Sequence, residues 1–214
     1  MDEISKVIEY TKTDFGATPG DIRSLCRQAI INNYKAVCVN SGFVKLCYEE
    51  LRKNPEIMIV SAASFPHGAS SLRAKVYEAI CAAEEGAKEI DFIPNLGLLK
   101  DRKDKELRDE IKGVIRNTAG MAEVKIIVEA PLLTAEELVR LCNMAAEENA
   151  AYISTCTGLN GDVTVDLVKG IRKIVGKKCK IKAAGGINDE AAVREMLKAG
   201  ANVIGTSSLI KFED

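Results

Sequence analysis

The stretch KIKAAGGINDEAAVREMLKAGANVIGTSS, residues 180–208, contains a complete strand–helix–strand unit. Residues 180–183 and 202–205 are short strand candidates, and the amphipathic residues between them predict a helix. Asn188-Asp189-Glu190 offers a cap and acidic side chains for its first turn, and Gly200 is typical of a left-handed C-terminal cap. A strand, a helix and a second strand in this order indicate a βα unit of a parallel sheet.

The same alternation runs through the whole chain, which contains eight strand candidates: residues 6–11, 35–39, 57–61, 88–93, 124–128, 150–154, 180–183 and 202–205. Thr18-Pro19 and Thr134 mark the starts of two of the intervening helices. Eight βα units form either a barrel or an open doubly wound sheet. An open dinucleotide-binding sheet usually carries G-x-G-x-x-G after its first strand, whereas residues 11–16 contain one glycine. The count therefore favours an α/β fold, a single-domain (β/α)8 TIM barrel over residues 1–214.

Composition and charge exclude several classes of protein. Lysine and arginine number 30 against 31 aspartate and glutamate, so a net charge of −1 provides no attraction for nucleic acid or an anionic membrane. The apolar runs fall far short of the roughly 20 residues that a membrane helix needs, and the N-terminus does not resemble a secretory signal. We therefore expect a cytoplasmic protein with no nucleic-acid or membrane partner.

Metal and cofactor chemistry has little support in the sequence. The seven cysteines are widely spaced and form no C-x-x-C pair, and His67 is the single histidine. A His-rich metal site or a Ser-His-Asp triad is therefore difficult to assemble. We expect no metal and no cofactor, and any catalysis must use Lys, Asp, Glu, Cys or Ser.

Two glycine-bearing turns follow the last two predicted strands, AGGIN at residues 184–188 and GTSS at residues 205–208. In a barrel, these are the positions that bind phosphate, since glycine lets backbone N–H groups approach an oxyanion and serine adds a hydroxyl donor. We expect a small phosphorylated sugar or aldehyde as ligand. The candidate phosphate-binding residues are Gly158, Gly185, Gly186, Gly205, Ser207 and Ser208.

Strand alternation also predicts a charged pair inside the barrel. If Ile90 and Phe92 pack outward against helices, Asp91 points inward, and Lys182 on the seventh strand is a candidate partner. A lysine and an aspartate beneath a phosphate site suggest proton transfer on a sugar phosphate. The alternative is an ion pair with a purely structural role.

Several segments in register over nearly the whole chain together resemble deoxyribose-phosphate aldolase. They are AVCVN (36–40), FPHG (65–68), EIDFIPN (89–95), LLT (132–134), IKAAGGI (181–187) and GTSS (205–208). The resemblance implies a (β/α)8 class I aldolase that works without metal and joins acetaldehyde to glyceraldehyde 3-phosphate reversibly. It also implies a homodimer or higher homo-oligomer, because barrels of this family commonly pair.

The resemblance assigns roles to individual residues. Lys182 matches a lysine that lowers the pKa of the Schiff-base lysine, Asp91 matches a carboxylate that moves protons with a water, and Cys38 matches a cysteine beside the substrate. The Schiff-base lysine itself ends the sixth strand in the family, where this chain has Ser154 in ISTCTG, residues 153–158. A hydroxyl cannot form an iminium.

Three interpretations follow from Ser154. The chain is an otherwise intact aldolase that has lost most of its turnover, or its nucleophile has moved to Lys182 or Lys12. In the third interpretation, it is a divergent barrel that binds a sugar phosphate, or isomerises one with Asp91 and Lys182 as acid and base. A hypothesis of a different class is a non-catalytic sugar-phosphate sensor or a structural subunit. A further departure is Glu9, which stands where the family usually has aspartate.

Overall fold

Eight parallel strands close into a barrel in chain order, β1 pairing with β8, in the computed structural model, which describes residues 3–210. The strands are β1 Ile8–Lys12, β2 Ala36–Asn40, β3 Met58–Ala63, β4 Glu89–Phe92, β5 Glu123–Ile127, β6 Tyr152–Ser154, β7 Lys180–Ala184 and β8 Val203–Thr206. The predicted TIM barrel is confirmed, and every predicted strand lies within two residues of the observed bounds. Because all strands run in parallel, their C-terminal ends meet at one mouth.

Eight helices surround the barrel: α1 Pro19–Ile31, α2 Val44–Leu51, α3 Leu72–Glu84, α4 Leu96–Lys100, α5 Asp104–Thr118, α6 Ala135–Glu147, α7 Val165–Val175 and α8 Glu190–Ala199. They do not follow the strands one by one, because α4 and α5 both follow β4 and no helix follows β8 within residues 3–210. No helix in this described range has the length and apolar character that a membrane crossing requires.

Local sequence explains where several helices begin and how they pack. The Thr18 hydroxyl accepts the Asp21 N–H, while the Asp21 carboxylate accepts the Thr18 N–H, and the same reciprocal cap begins α6. In α7, Val168, Ile171 and Val175 recur on one face and are fully buried against the barrel. Burying each such side chain stabilises the fold by roughly 1.5–3 kcal/mol.

Candidate active site

A cavity of about 220 Å³ opens at the C-terminal ends of the strands. It contains most of the predicted site residues, which come from five strands and the loops after them: Cys38, Asp91, Ser154, Gly158, Lys182, Gly185, Gly186, Gly205 and Ser207. The remaining predicted residue, Ser208, is not part of the lining. Its hydroxyl donates instead to Asn188 Oδ1 at 2.8 Å, and Asn188, which sequence reasoning did not select, lines the cavity.

Lys182 occupies the floor of this cavity between two carboxylates. Its Nζ donates to Glu9 Oε1 and to Asp91 Oδ2, and all three side chains are nearly or fully buried. The predicted pairing of Asp91 with Lys182 is therefore present. Glu9, noted in the sequence only as a departure from the family's aspartate, is a second partner.

A second buried lysine extends this charge network beneath the cavity lining. Lys125 Nζ forms ion pairs with Glu9, with Glu89 at 2.5 Å and with Asp91 Oδ1 at 3.5 Å, and Lys35 lies 3.1 Å from Glu89 on the outer side. Three lysines thus neutralise three carboxylates, which compensates for the large cost of burying each charge. Sequence reasoning missed Lys125, although a lysine inside the otherwise apolar run of β5 was a detectable signal.

The charge network sets the protonation of its members. Burial alone would lower the pKa of Lys182, but the adjacent Asp91 and Glu9 carboxylates outweigh it and raise that pKa above its usual value. Burial would raise the pKa of Glu9, but Lys125 and Lys182 lower it to about 2. Lys182 is consequently an ammonium and Glu9 a carboxylate at neutral pH.

Cys38 lies beside this network as a thiol. Its Sγ donates to Asp91 Oδ2 at 3.8 Å, and burial raises the pKa of the thiol well above its usual value. Glu9, Cys38 and Asp91 bring their ligand atoms within 4.8 Å of one another, as in some metal sites. However, Lys125 and Lys182 already neutralise both carboxylates and the thiol stays protonated, so this donor set does not favour a divalent cation.

Ser154 lies in the barrel wall directly beside Lys182. The two residues are register partners between β6 and β7, and Ser154 is 1% exposed and lines the cavity. Lys12, the other candidate amine, lies outside the lining, where its Nζ pairs with Asp14 at 3.0 Å and its side chain is 35% exposed. Among residues 3–210, Lys182 is the one lysine that lines the cavity.

Three of the glycines predicted to bind phosphate adopt a left-handed backbone conformation. Gly158, Gly185 and Gly186 all have positive φ, between +73° and +104°. A Cβ on Gly185 would lie 2.7 Å from the Cys156 sulfur, and one on Gly186 would lie 2.3 Å from Asp162 Cγ. Only glycine fits these positions, so the backbone comes close to the cavity without side chains in between.

Glu129 positions the loop after β6, which carries Gly158. It lies just after β5 in a left-handed conformation (φ 49°, ψ 53°), is 2% exposed, and accepts the Thr157 N–H through Oε2 at 3.0 Å. Directly after β6, the Thr155 hydroxyl donates to the Ala184 carbonyl at 3.0 Å and joins this loop to the end of β7. Sequence reasoning missed Glu129, whose signal is a single carboxylate directly after an apolar strand.

A buried pair on the outer helices supports the loops after β3 and β4. Lys75 Nζ on α3 donates to Glu110 Oε1 on α5 at 2.6 Å and to the Gly68 carbonyl, while Glu110 Oε2 accepts the Asn95 N–H at 2.7 Å. The Lys75 side chain has no exposed surface. This pair fixes the segment next to Phe65, which lines the cavity.

Known proteins are similar to this chain in sequence and in architecture, although no family model matches it. A protein of Natranaerobius thermophilus named deoxyribose-phosphate aldolase is 41% identical over 212 residues, 99% of this chain and 96% of that protein. One of Thermococcus kodakarensis with the same name is 42% identical over 213 residues, 98% and 95% of the two chains.

Solved structures agree with these relatives. An aldolase designated QR15 superposes with a TM-score of 0.92 at 31% identity, covering 98% of this chain and 93% of its own. The tetrameric deoxyribose phosphate aldolase of Aeropyrum pernix has a TM-score of 0.89 at 27% identity, covering 96% and 87%. With relatives about 40% identical along nearly its whole length and the same barrel, this chain belongs to the deoxyribose-phosphate aldolase family.

Proposed function

We propose that this chain cleaves 2-deoxy-D-ribose 5-phosphate reversibly to acetaldehyde and glyceraldehyde 3-phosphate, with Lys182 as the amine that forms the Schiff base. One observation carries the proposal: Lys182 is the lysine of the cavity lining, in contact with Asp91 and beside Ser154. Lys12 lies outside the cavity lining and its Nζ forms an ion pair with Asp14, so it does not suit this role.

The reaction begins with a proton transfer, because Lys182 must be neutral to attack. Its proton passes to Asp91, with which it is in contact, and the free Nζ adds to C1 of the open-chain sugar. Asp91 returns this proton to the carbinolamine hydroxyl, which leaves as water as the iminium forms. The Asp91 carboxylate then takes the proton of the C3 hydroxyl, the C2–C3 bond breaks into the iminium, and glyceraldehyde 3-phosphate departs. Asp91 gives this proton to C2 of the remaining enamine, and hydrolysis of the resulting iminium releases acetaldehyde and the free amine.

The turns after β6, β7 and β8 are suited to hold the phosphate. Gly158, Gly185 and Gly186 offer backbone N–H groups, and Ser207 lines the same side of the cavity. The exposed Asp162 carboxylate packs against Gly186 and must rotate outward when an anion binds. Anchoring the phosphate here places the carbonyl end of the sugar over the charged floor.

The same geometry makes this catalyst slow. The Asp91 and Glu9 carboxylates raise the pKa of Lys182, and each unit of pKa reduces the neutral amine tenfold. Family members with a lysine at the position of Ser154 have two neighbouring ammonium groups that repel each other, which lowers the pKa of the attacking amine. We expect turnover well below that of such enzymes.

Borohydride trapping tests the proposal. The protein is incubated with 2-deoxyribose 5-phosphate and borohydride, and peptide mass spectrometry locates the reduced adduct. The matched variants are Lys182→Met, which removes the proposed nucleophile, and Lys12→Met, which removes the other candidate. We expect an adduct on Lys182 in the unchanged protein and in Lys12→Met, and none in Lys182→Met.

A second candidate function is a barrel that binds the sugar phosphate without Schiff-base chemistry. The ion pairs of Lys182 and the hydroxyl at Ser154 favour it. Thermal stabilisation by the sugar phosphate, with no adduct and no release of glyceraldehyde 3-phosphate, would identify this function and contradict the lyase.

A homo-oligomer is the assembly that we propose for this chain. Large apolar side chains on the outer helices α1, α2 and α3 are exposed, namely Ile31 (72%), Tyr48 (58%) and Tyr77 (71%). The related Aeropyrum pernix protein is tetrameric. Light scattering coupled to size exclusion will measure the mass, and a monomer near 23.2 kDa at micromolar concentration would contradict this expectation.

A further inference from the structure

Two buried polar atoms in the cavity floor have no hydrogen-bond partner among the residues that the structure describes. They are Ser154 Oγ and Asp91 Oδ1, on side chains that belong to residues 1% and 3% exposed. Both residues line the same cavity. Asp91 Oδ1 has Lys125 Nζ at 3.5 Å but accepts no hydrogen bond from it. Buried polar groups in folded proteins are nearly always paired, so each of these two atoms lacks a hydrogen bond of the kind that a bound ligand supplies.

The chemistry of these two atoms defines what can pair with them. A carboxylate oxygen accepts only, while the serine hydroxyl both donates and accepts. A ligand hydroxyl can donate to Asp91 Oδ1 and accept from Ser154, whereas a methyl or methylene group can do neither. An aldehyde oxygen can accept from Ser154 but leaves Asp91 Oδ1 without a donor.

Ser154 is also placed to contact the reacting end of the sugar. Serine has one side-chain carbon where the lysine of the family motif has a four-carbon stem. Ser154 lines the cavity next to Lys182, the proposed nucleophile. It therefore lies beside the first two carbons of a sugar bound to Lys182.

We propose that this cavity prefers a pentose 5-phosphate with a hydroxyl group on C2, such as ribose 5-phosphate or its C2 epimer arabinose 5-phosphate. The hydroxyl lies between Ser154 Oγ and Asp91 Oδ1. The inference rests on the proposed function, because it uses the same cavity and the same C2–C3 cleavage. The Asp91 carboxylate again takes the C3 hydroxyl proton as that bond breaks and gives it to C2 of the enamine, so hydrolysis releases glycolaldehyde instead of acetaldehyde as the two-carbon product.

The test compares three sugars: 2-deoxyribose, ribose and arabinose 5-phosphate. For each, kcat/KM is measured through release of glyceraldehyde 3-phosphate, and the dissociation constant is measured by calorimetry. We expect the unchanged protein to prefer one of the two hydroxylated sugars over the deoxy sugar by about tenfold, the value of one to two hydrogen bonds.

Two variants assign the preference to its cause. Ser154→Ala removes the hydroxyl and should bring the ratio of hydroxylated to deoxy sugar to within about threefold of unity. Ser61→Ala is the matched control, because Ser61 is a buried strand serine whose hydroxyl donates to the Ala62 carbonyl and which lies outside the cavity lining. It should leave the ratio unchanged.

The outcomes separate this inference from the proposed function. A preference for the deoxy sugar, equal affinity for all three, or a ratio that Ser154→Ala leaves unchanged overturns the C2-hydroxyl site. If none of the sugars is cleaved but calorimetry shows the tenfold preference and its loss in Ser154→Ala, the proposed lyase fails and the hydroxyl site stands.

Discussion

Replacing Ser154 with lysine should convert this chain into a much faster aldolase. The substitution places a second amine directly beside Lys182, because the two residues are register partners on adjacent strands. Adjacent strands lie about 4.8 Å apart, so two ammonium groups there are separated by roughly 5 Å. At an effective dielectric constant near 20, their repulsion is about 3 kcal/mol, which lowers the pKa of the new amine by about two units. Burial lowers it further.

The expected gain follows from the fraction of neutral amine. Two pKa units correspond to about 100-fold more nucleophile at neutral pH than an unperturbed lysine gives. Because the pKa of Lys182, the nucleophile of the unchanged protein, lies above its usual value, we expect the release of glyceraldehyde 3-phosphate from 2-deoxyribose 5-phosphate to rise by at least about that factor. Borohydride should then trap the adduct on residue 154 instead of Lys182. Ser154→Met is the matched control, since it adds a side chain of similar length without an amine, and it should show no gain.

A specific result would refute this reasoning. If Ser154→Lys keeps the thermal stability of the unchanged protein and binds the sugar phosphate, yet gives no gain in rate and an adduct that stays on Lys182, the repulsion argument is wrong. The position would then not direct an amine at the carbonyl carbon.

Three further predictions concern Glu9, Lys75 and Glu129, which are neither the proposed nucleophile nor residue 154. Glu9 has a folded-state pKa of about 2 against its usual 4.5. Its ionised form therefore contributes about 3 kcal/mol to the free energy of unfolding above pH 4.5, and this contribution is lost as the pH falls to 2. Urea unfolding at several pH values should show this loss, and Glu9→Gln should lack it. Lys75→Met leaves Glu110 buried without its partner and should lower the free energy of unfolding by about 3–5 kcal/mol, whereas a change below 1 kcal/mol would show that the pair is dispensable. Glu129→Ala removes the acceptor of the Thr157 N–H and loosens the loop that carries Gly158 of the proposed phosphate site, so the KM for 2-deoxyribose 5-phosphate should rise about tenfold with little change in kcat. Glu129→Gln, which keeps an acceptor oxygen, should recover most of the loss.

Much of the fold was predictable because its determinants are local. The reciprocal caps at Thr18 and Thr134 involve residues three positions apart. Strand alternation correctly predicted that the Asp91 side chain points into the barrel. The start of β1 was predicted two residues too early, because Glu3–Val7 forms a 3-10 helix before Ile8 pairs with Ile204 of β8. That pairing depends on closure of the barrel, which local sequence does not report.

The candidate site was predictable in part. The glycine turns and the pair of Asp91 with Lys182 followed from strand ends and residue chemistry. The roles of Lys125 and Glu129 could not be predicted in this way, because each residue acts through partners on another strand or loop. The unpaired atoms of Ser154 and Asp91 were equally hidden, since hydrogen-bond satisfaction depends on all neighbours of a buried group.

The sequence by itself determined that this chain is a barrel of alternating strands and helices, with glycine turns at its mouth, and it placed Ser154 where the resemblance to the family predicts a lysine. These features depend on the spacing of apolar residues, on caps and on motifs, all of which involve neighbours along the chain. Only the tertiary structure decided that Lys182 is the amine in the cavity and that it is held as an ammonium by Glu9, 173 residues away. The physical reason is that burial and charge compensation are set by groups brought together when β1 closes on β8, so they have no signature in any one segment.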